Sequence, residues 1–250
     1  MAILFESEEK SIGFFEYIFI GSLIAKEAPR GDILDISCNI GHSTQILKDQ
    51  LPNAALVGGD IDGKLIEKAR RDYPECKFKV MDALNLPPRM FDAVVSCHTI
   101  EHFNGTDQRI FLEQVKKVLK KGGLFFCCTP DIDVLRAQGA AGSQPDHIRE
   151  LTKKELVGLI ENAGFRVEKM YGQGIFVQPS LLRRSLNFCK NLDYFNARRF
   201  ARGLVNAVDQ KTQPIEMNFE VRPLGEEQTA LNLIVIARKT ASSPRDRQIF

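Results

Sequence analysis

The chain has 250 residues, is 44% hydrophobic, and carries 34 basic and 32 acidic side chains for a formal charge of +2. That is enough apolar material for one sizeable core, and the near balance of charge excludes broad electrostatic attraction to nucleic acid as the main design. Six cysteines, none spaced as CxxC and most of them in or beside apolar runs, exclude a disulfide framework and read as reduced thiols of a cytoplasmic protein.

The first apolar run, Ile12–Ala25, lacks the basic flank of a signal peptide and is interrupted by Glu16. It is too short and broken to span a bilayer, so it reads as a helix packed on the domain. Asp32–Ile36 is a predicted strand, followed by a helix over His42–Gln50. A second strand at Ala55–Gly59 leads into a helix over Gly63–Asp72, and a third strand covers Lys77–Met81. Phe91–Cys97 is the fourth strand, Asp107–Lys120 a helix with a stripe of Ile110, Val115, Val118 and Leu119, and Gly123–Thr129 the fifth strand. Thr152–Asn162 opens on a capping-box pattern and stops at Ala163-Gly164. Arg166–Tyr171 and Ala230–Ala237 complete seven strands.

Such alternation implies an α/β fold, a Rossmann-like seven-stranded and mostly parallel sheet with helices on both faces. Residues 1–240 read as a single domain, with 1–30 an N-terminal helical segment and 173–228 a helical insertion before the last strand. Within the insertion, Pro179–Val208 carries Arg183, Arg184, Lys190, Arg198, Arg199 and Arg202 among Leu, Phe and Tyr. Residues 241–250 read as a disordered tail.

A doubly wound sheet binds ligands at the carboxyl ends of its strands. The first strand ends in Asp35-Ile-Ser37-Cys-Asn39-Ile-Gly41, a tight turn into a helix, where Gly41 allows close backbone approach to a ligand. The second ends in Asp60, placed to accept hydrogen bonds from both ribose hydroxyls, with Ile61 beside it to lie against a base. The third ends in Asp82-Ala83, whose carboxylate can accept an exocyclic amine. One adenosine could touch all three ends. A dinucleotide fits less well, because His42 stands where helix–strand packing needs a small residue.

In order and spacing these residues resemble the motifs of class I S-adenosylmethionine-dependent methyltransferases. The resemblance continues through Phe91-Asp92-Ala-Val-Val-Ser96, Ile100-Glu101-His102, Leu119-Lys-Lys-Gly122-Gly123 and Thr129-Pro130-Asp131. Asp146-His147-Ile148-Arg149, Leu151-Thr152 and Ala163-Gly164-Phe165 are similar to the subgroup that includes the ubiquinone-biosynthesis O-methyltransferases. It covers roughly residues 30–172 and the last strand. It implies S-adenosylmethionine as cofactor, contacted by Asp35, Ser37, Asn39, Gly41, Asp60, Ile61, Asp82, Ala83 and Cys97. The chain departs from the family's Gly-x-Gly-x-Gly loop at Ser37 and Asn39, small or left-handed-tolerant residues that can keep the turn.

The acceptor side draws on histidines. His98, Glu101 and His102 follow the fourth strand and His147 follows the fifth, all on the ligand edge. His147 or His98 is expected to act as general base toward an acceptor hydroxyl. Some relatives in the resembled subgroup and among small-RNA 2′-O-methyltransferases hold a divalent ion with Glu-x-x-Glu-His here. The expectation is a site without a metal, with His98, Glu101, His102 and His147 as the candidate ligands should one bind. The HxxEH string also occurs in inverted zinc proteases, but their helical scaffold is incompatible with this βαβ context. The leading expectation is O-methylation of a small molecule. A regulatory S-adenosylmethionine-binding domain, kept open by Ser37 and Asn39, and an RNA 2′-O-methyltransferase are the alternatives. Residues 179–208 are a candidate peripheral membrane-surface contact, and nucleic acid is not an expected partner.

Overall fold

A computed structural model describes residues 8–137, 139–177, 221–225 and 228–240. Among the described residues, eight strands form one mixed sheet in the order β3-β2-β1-β4-β5-β8-β6-β7. They are β1 (Asp32–Ile36), β2 (Ala55–Asp60), β3 (Lys77–Val80), β4 (Phe91–Cys97), β5 (Leu119–Pro130), β6 (Phe165–Val177), β7 (Val221–Pro223) and β8 (Gln228–Lys239). Strands β1 to β5 run parallel, and β8 lies antiparallel between β5 and β6. The order reverses between β1 and β4, which creates the crevice where such sheets bind ligands.

The helices are α1 (Glu8–Glu27), α2 (His42–Gln50), α3 (Gly63–Asp72), α4 (Gly105–Val118), α5 (Ile132–Ala137) and α6 (Lys153–Asn162), with a single 3-10 turn at Ile100–His102. The period-2 alternation of the strands sorts the core into two layers. Val94, Phe125 and Cys127 face Phe111, Leu112 and Val115 of α4 and Leu156 and Ile160 of α6. Ala93, Val95, Cys97, Phe126 and Cys128 face Tyr17, Ile20 and Ile24 of α1 and Ile46 and Leu47 of α2. Phe111 and Phe126 are fully buried; truncating either to alanine costs about 3–5 kcal/mol.

Side chains cap three of the helices. Asp62 accepts from the amides of Lys64 and Leu65 at α3, Asn104 from those of Thr106 and Asp107 at α4, and Thr152 forms a capping box with Glu155 at α6. Helix α2 starts at Gly41 with no side-chain cap, so its first N–H groups are left toward the ligand edge.

Two expectations need correction. The sheet has eight strands rather than seven among the described residues, because Val221–Pro223 pairs antiparallel with Tyr171–Gln173, and it is mixed because β8 also runs antiparallel to β5 and β6. Three residues are too few to show an alternation. The interval 173–228 is also not helical at its margins: β6 runs into it as far as Val177, and β7 lies inside it. The core of that expected insertion, Pro179–Val208, and the tail 241–250 lie outside the described residues. Among the described residues no helix is long and apolar enough to cross a membrane.

Candidate active site

The loop after β1 is made of alternating left-handed residues: Ser37 at φ 63°, Asn39 at 52° and Gly41 at 85°. The two non-glycine positions therefore adopt the backbone of the glycines they replace, at a cost of about 1–2 kcal/mol for Ser37 and less for Asn39. Asn39 helps hold the bend by accepting the Ile40 amide on its own Oδ1 at 2.7 Å. Gly41 cannot be exchanged in this way, since a Cβ there would lie 2.6 Å from the Phe78 ring.

Asp60 ties the loop to β2. Its Oδ2 accepts the Asn39 amide at 2.9 Å and its Oδ1 the Asp62 amide at 3.0 Å. Each oxygen keeps a second lone pair for a ligand. Asp82 is exposed and accepts the Leu84 amide at 2.8 Å, while Ala83 behind it is buried. Ile61 stands beside them 68% exposed. Asp35 works from behind: it is fully buried and accepts Oγ of Ser43 and Oγ1 of Thr44 at 2.7 Å and the Tyr17 hydroxyl at 3.4 Å. It braces the start of α2. Burial pushes its carboxyl up to about 6, against the pull of the Thr44, Ser43 and Tyr17 hydroxyls.

The histidines divide into two groups. His98, also left-handed at φ 53°, is clamped between carboxylates: Nε2 meets Glu16 Oε2 at 3.0 Å and Nδ1 meets Glu101 Oε1 at 3.5 Å. Burial opposes the charge of the ring, but Glu16 and Glu101 outweigh it and hold its pKa well above the ordinary histidine value. Burial likewise works against the Glu101 carboxylate, and His98 and Thr129 overcome it and lower its pKa. Both ring nitrogens of His98 thus face carboxylates, and neither is open toward an acceptor.

His147 has the opposite environment. Its side chain is 6% exposed and its Nδ1 lies 2.8 Å from Glu150 Oε1. A carboxylate on Nδ1 fixes the proton there and leaves Nε2 as the basic nitrogen. His102 packs edge-to-face on His147 at 5.1 Å, and its Nδ1 meets the Asp146 carbonyl at 3.0 Å, which likewise leaves its Nε2 as acceptor. Glu101, His102 and His147 offer ligand atoms that all lie within 4.8 Å of one another. Three of the four expected metal candidates therefore converge, while His98 lies between Glu16 and Glu101.

Cys97 presents its side chain to the α1 face of the sheet, so only its backbone faces the ligand edge. Sequence reasoning missed Glu16, Tyr17, Ser43, Thr44 and Glu150. Of these only Glu16 left a trace, as the carboxylate that interrupts an apolar run.

Comparison with known proteins agrees with this geometry. Residues 33–123 match the family described as "Methyltransferase domain". A "probable S-adenosylmethionine-dependent methyltransferase" of Mycolicibacterium smegmatis is 29% identical over 166 residues, 66% of this chain and 63% of that protein. A trans-aconitate 2-methyltransferase of Sinorhizobium fredii is 29% identical over 106 residues, 42% of this chain and 40% of that protein. The chain thus spans less than two thirds of the length of either relative. Among solved structures, the magnesium protoporphyrin IX methyltransferase of Synechocystis with bound S-adenosylhomocysteine superposes with a TM-score of 0.58 at 13% identity, covering 92% of this chain and 84% of that one. Over residues 33–123 the chain is thus similar to methyltransferase domains, and its fold is shared with solved methyltransferase structures.

Proposed function

We propose that this protein transfers the methyl group of S-adenosylmethionine to an oxygen of a small-molecule acceptor. The observation that carries the oxygen reading is the His147–Glu150 pair on the ligand edge, a base oriented by a carboxylate. The resemblance to ubiquinone-biosynthesis O-methyltransferases and the relative named for trans-aconitate methylation point to small acceptors.

S-adenosylmethionine, when bound, supplies a methyl group already activated on a sulfonium. The protein's share is to align, to exclude water and to handle one proton. Ser37, Asn39 and Gly41 present backbone to the cofactor, Asp60 and Asp82 its hydrogen-bond acceptors, and Ile61 and Ala83 its apolar contacts. His147 Nε2 takes the acceptor's hydroxyl proton as its oxygen attacks, and Glu150 stabilises the resulting imidazolium. His98, the other expected base, has a carboxylate on each ring nitrogen and holds α1 to the edge instead.

One observation favours a metal-assisted form of the same reaction. Glu101, His102 and His147 offer ligand atoms that converge within 4.8 Å. A divalent cation held there would lower the acceptor hydroxyl's pKa directly. Transfer of labelled methyl to a panel of phenols, alcohols and carboxylates, with and without EDTA, tests the proposal. Turnover on a hydroxyl acceptor that survives EDTA selects the His147–Glu150 base. Turnover lost to EDTA and restored by Mg²⁺ or Mn²⁺ selects the metal. Transfer confined to nitrogen or carbon acceptors overturns the oxygen reading.

A further inference from the structure

Beneath α1 lies a cluster that the methyl-transfer reading does not use. Cys97 and Cys128 sit opposite one another in the register of the parallel strands β4 and β5. Their side chains therefore leave the sheet on the same face, the one that α1 covers. Glu16 comes down onto them from α1. The two Sγ atoms and a Glu16 carboxylate oxygen all lie within 4.8 Å of one another. All three residues are buried, Glu16 and Cys128 completely.

The carboxylate is only half satisfied. Glu16 Oε2 is engaged by His98, but Oε1 is buried with no hydrogen-bond partner. A fully buried, unpartnered carboxylate oxygen costs several kcal/mol unless something answers it. An apolar neighbour does not, and neither does a neutral thiol, which is a weak donor. A cation does.

We propose that Glu16, Cys97 and Cys128 form a binding site for one thiophilic divalent cation of the Zn²⁺ class. Two sulfurs with one carboxylate are a donor set that selects Zn²⁺ over Mg²⁺ or Ca²⁺. Three protein ligands leave a fourth tetrahedral position for water or another donor. A Zn–S bond of about 2.3 Å at a tetrahedral angle sets sulfurs about 3.8 Å apart, so the atoms need to close by at most about 1 Å. Binding releases the two thiol protons, and a dication with two thiolates adds no net charge to the interior. The cation pins α1, through Glu16, to the carboxyl ends of β4 and β5, one residue from His98. It is separate from the Glu101–His102–His147 group, which contains no sulfur.

Titration of the full-length, reduced, metal-free protein with Co²⁺ tests the site. The expected result is an intense near-ultraviolet sulfur-to-cobalt charge-transfer band that saturates near one equivalent and is displaced by Zn²⁺. Cys128→Ser should abolish most of that band, Glu16→Gln should weaken Zn²⁺ binding about tenfold or more, and His147→Ala should leave the band intact. Zn²⁺ should also raise the melting temperature of the wild type and not of Glu16→Gln, which carries the test if Cys128→Ser does not fold. A folded wild type that binds Co²⁺ without a thiolate band, or binds none, overturns the proposal. So does a band that persists at full strength in folded Cys128→Ser.

Discussion

The two halves of the ligand edge are built by different means. At the half proposed for adenosine, over β1 to β3, the site is mostly backbone: three left-handed residues, an uncapped helix start, and acids whose oxygens already hold neighbouring amides. At the acceptor half, over β4 and β5, it is side-chain chemistry gathered from distant segments. Glu16 meets His98 across 82 positions of sequence, and His147 meets His102 across the gap between β4 and β5. The first half makes a shape, and the second engages specific ring nitrogens of its histidines. Within the second half, two histidines on one edge have opposite surroundings, one with carboxylates on both nitrogens and the other with a carboxylate on one.

That contrast predicts separable losses. His147→Ala should lower kcat by about 10²–10⁴-fold and leave the affinity for S-adenosylmethionine unchanged, with Glu150→Gln producing a smaller fall in the same direction. A kinetic assay showing unchanged kcat removes His147 from the chemistry. Gly41→Val acts on the other half. It places a β-branched side chain at φ 85° against Phe78, and urea unfolding should show a loss of roughly 2–5 kcal/mol. Wild-type stability in this variant would mean that the loop is softer than described.

Asp35 gives a pH signature of the adenosine half. Its carboxyl is held at about 6 against an ordinary 3.8, so between those values the folded state keeps a proton that the unfolded state has lost. Stability should therefore fall as pH rises from about 4 to about 6, by about 3 kcal/mol. Denaturation midpoints across that range should show this decline in the wild type and lack it in Asp35→Asn. A decline of equal size in the variant assigns it to another group. The smallest effect is expected at Ser37. Ser37→Gly relieves a left-handed serine, and the melting temperature should rise by the equivalent of about 1 kcal/mol with cofactor binding retained. A drop would show that the hydroxyl, not the backbone, matters there.

What the sequence made legible follows the same division. Helices α2 and α3 have the expected bounds, His42–Gln50 and Gly63–Asp72, because each lies between a strand and a turn with clear punctuation. The Ser37, Asn39 and Gly41 positions were readable because a strand-to-helix turn has a fixed length and takes few residue types. Glu150 and Glu16 were not. A carboxylate three residues past His147, or 82 before His98, carries no periodic signal, and its meaning appears only when the chain is folded. The strand order brought His102 and His147 together, whereas His98 left the expected metal set because its left-handed backbone puts it within reach of α1. The three-residue β7 was invisible for a simpler reason, its length.

The central claim is the cofactor site, and calorimetric titration with S-adenosylmethionine and S-adenosylhomocysteine tests it most directly. The account predicts binding of both by the wild type, weakened about tenfold to a hundredfold in folded Asp60→Ala, which loses charged hydrogen bonds to a ribose. No binding by a folded wild type, or equal binding by the variant, would contradict it.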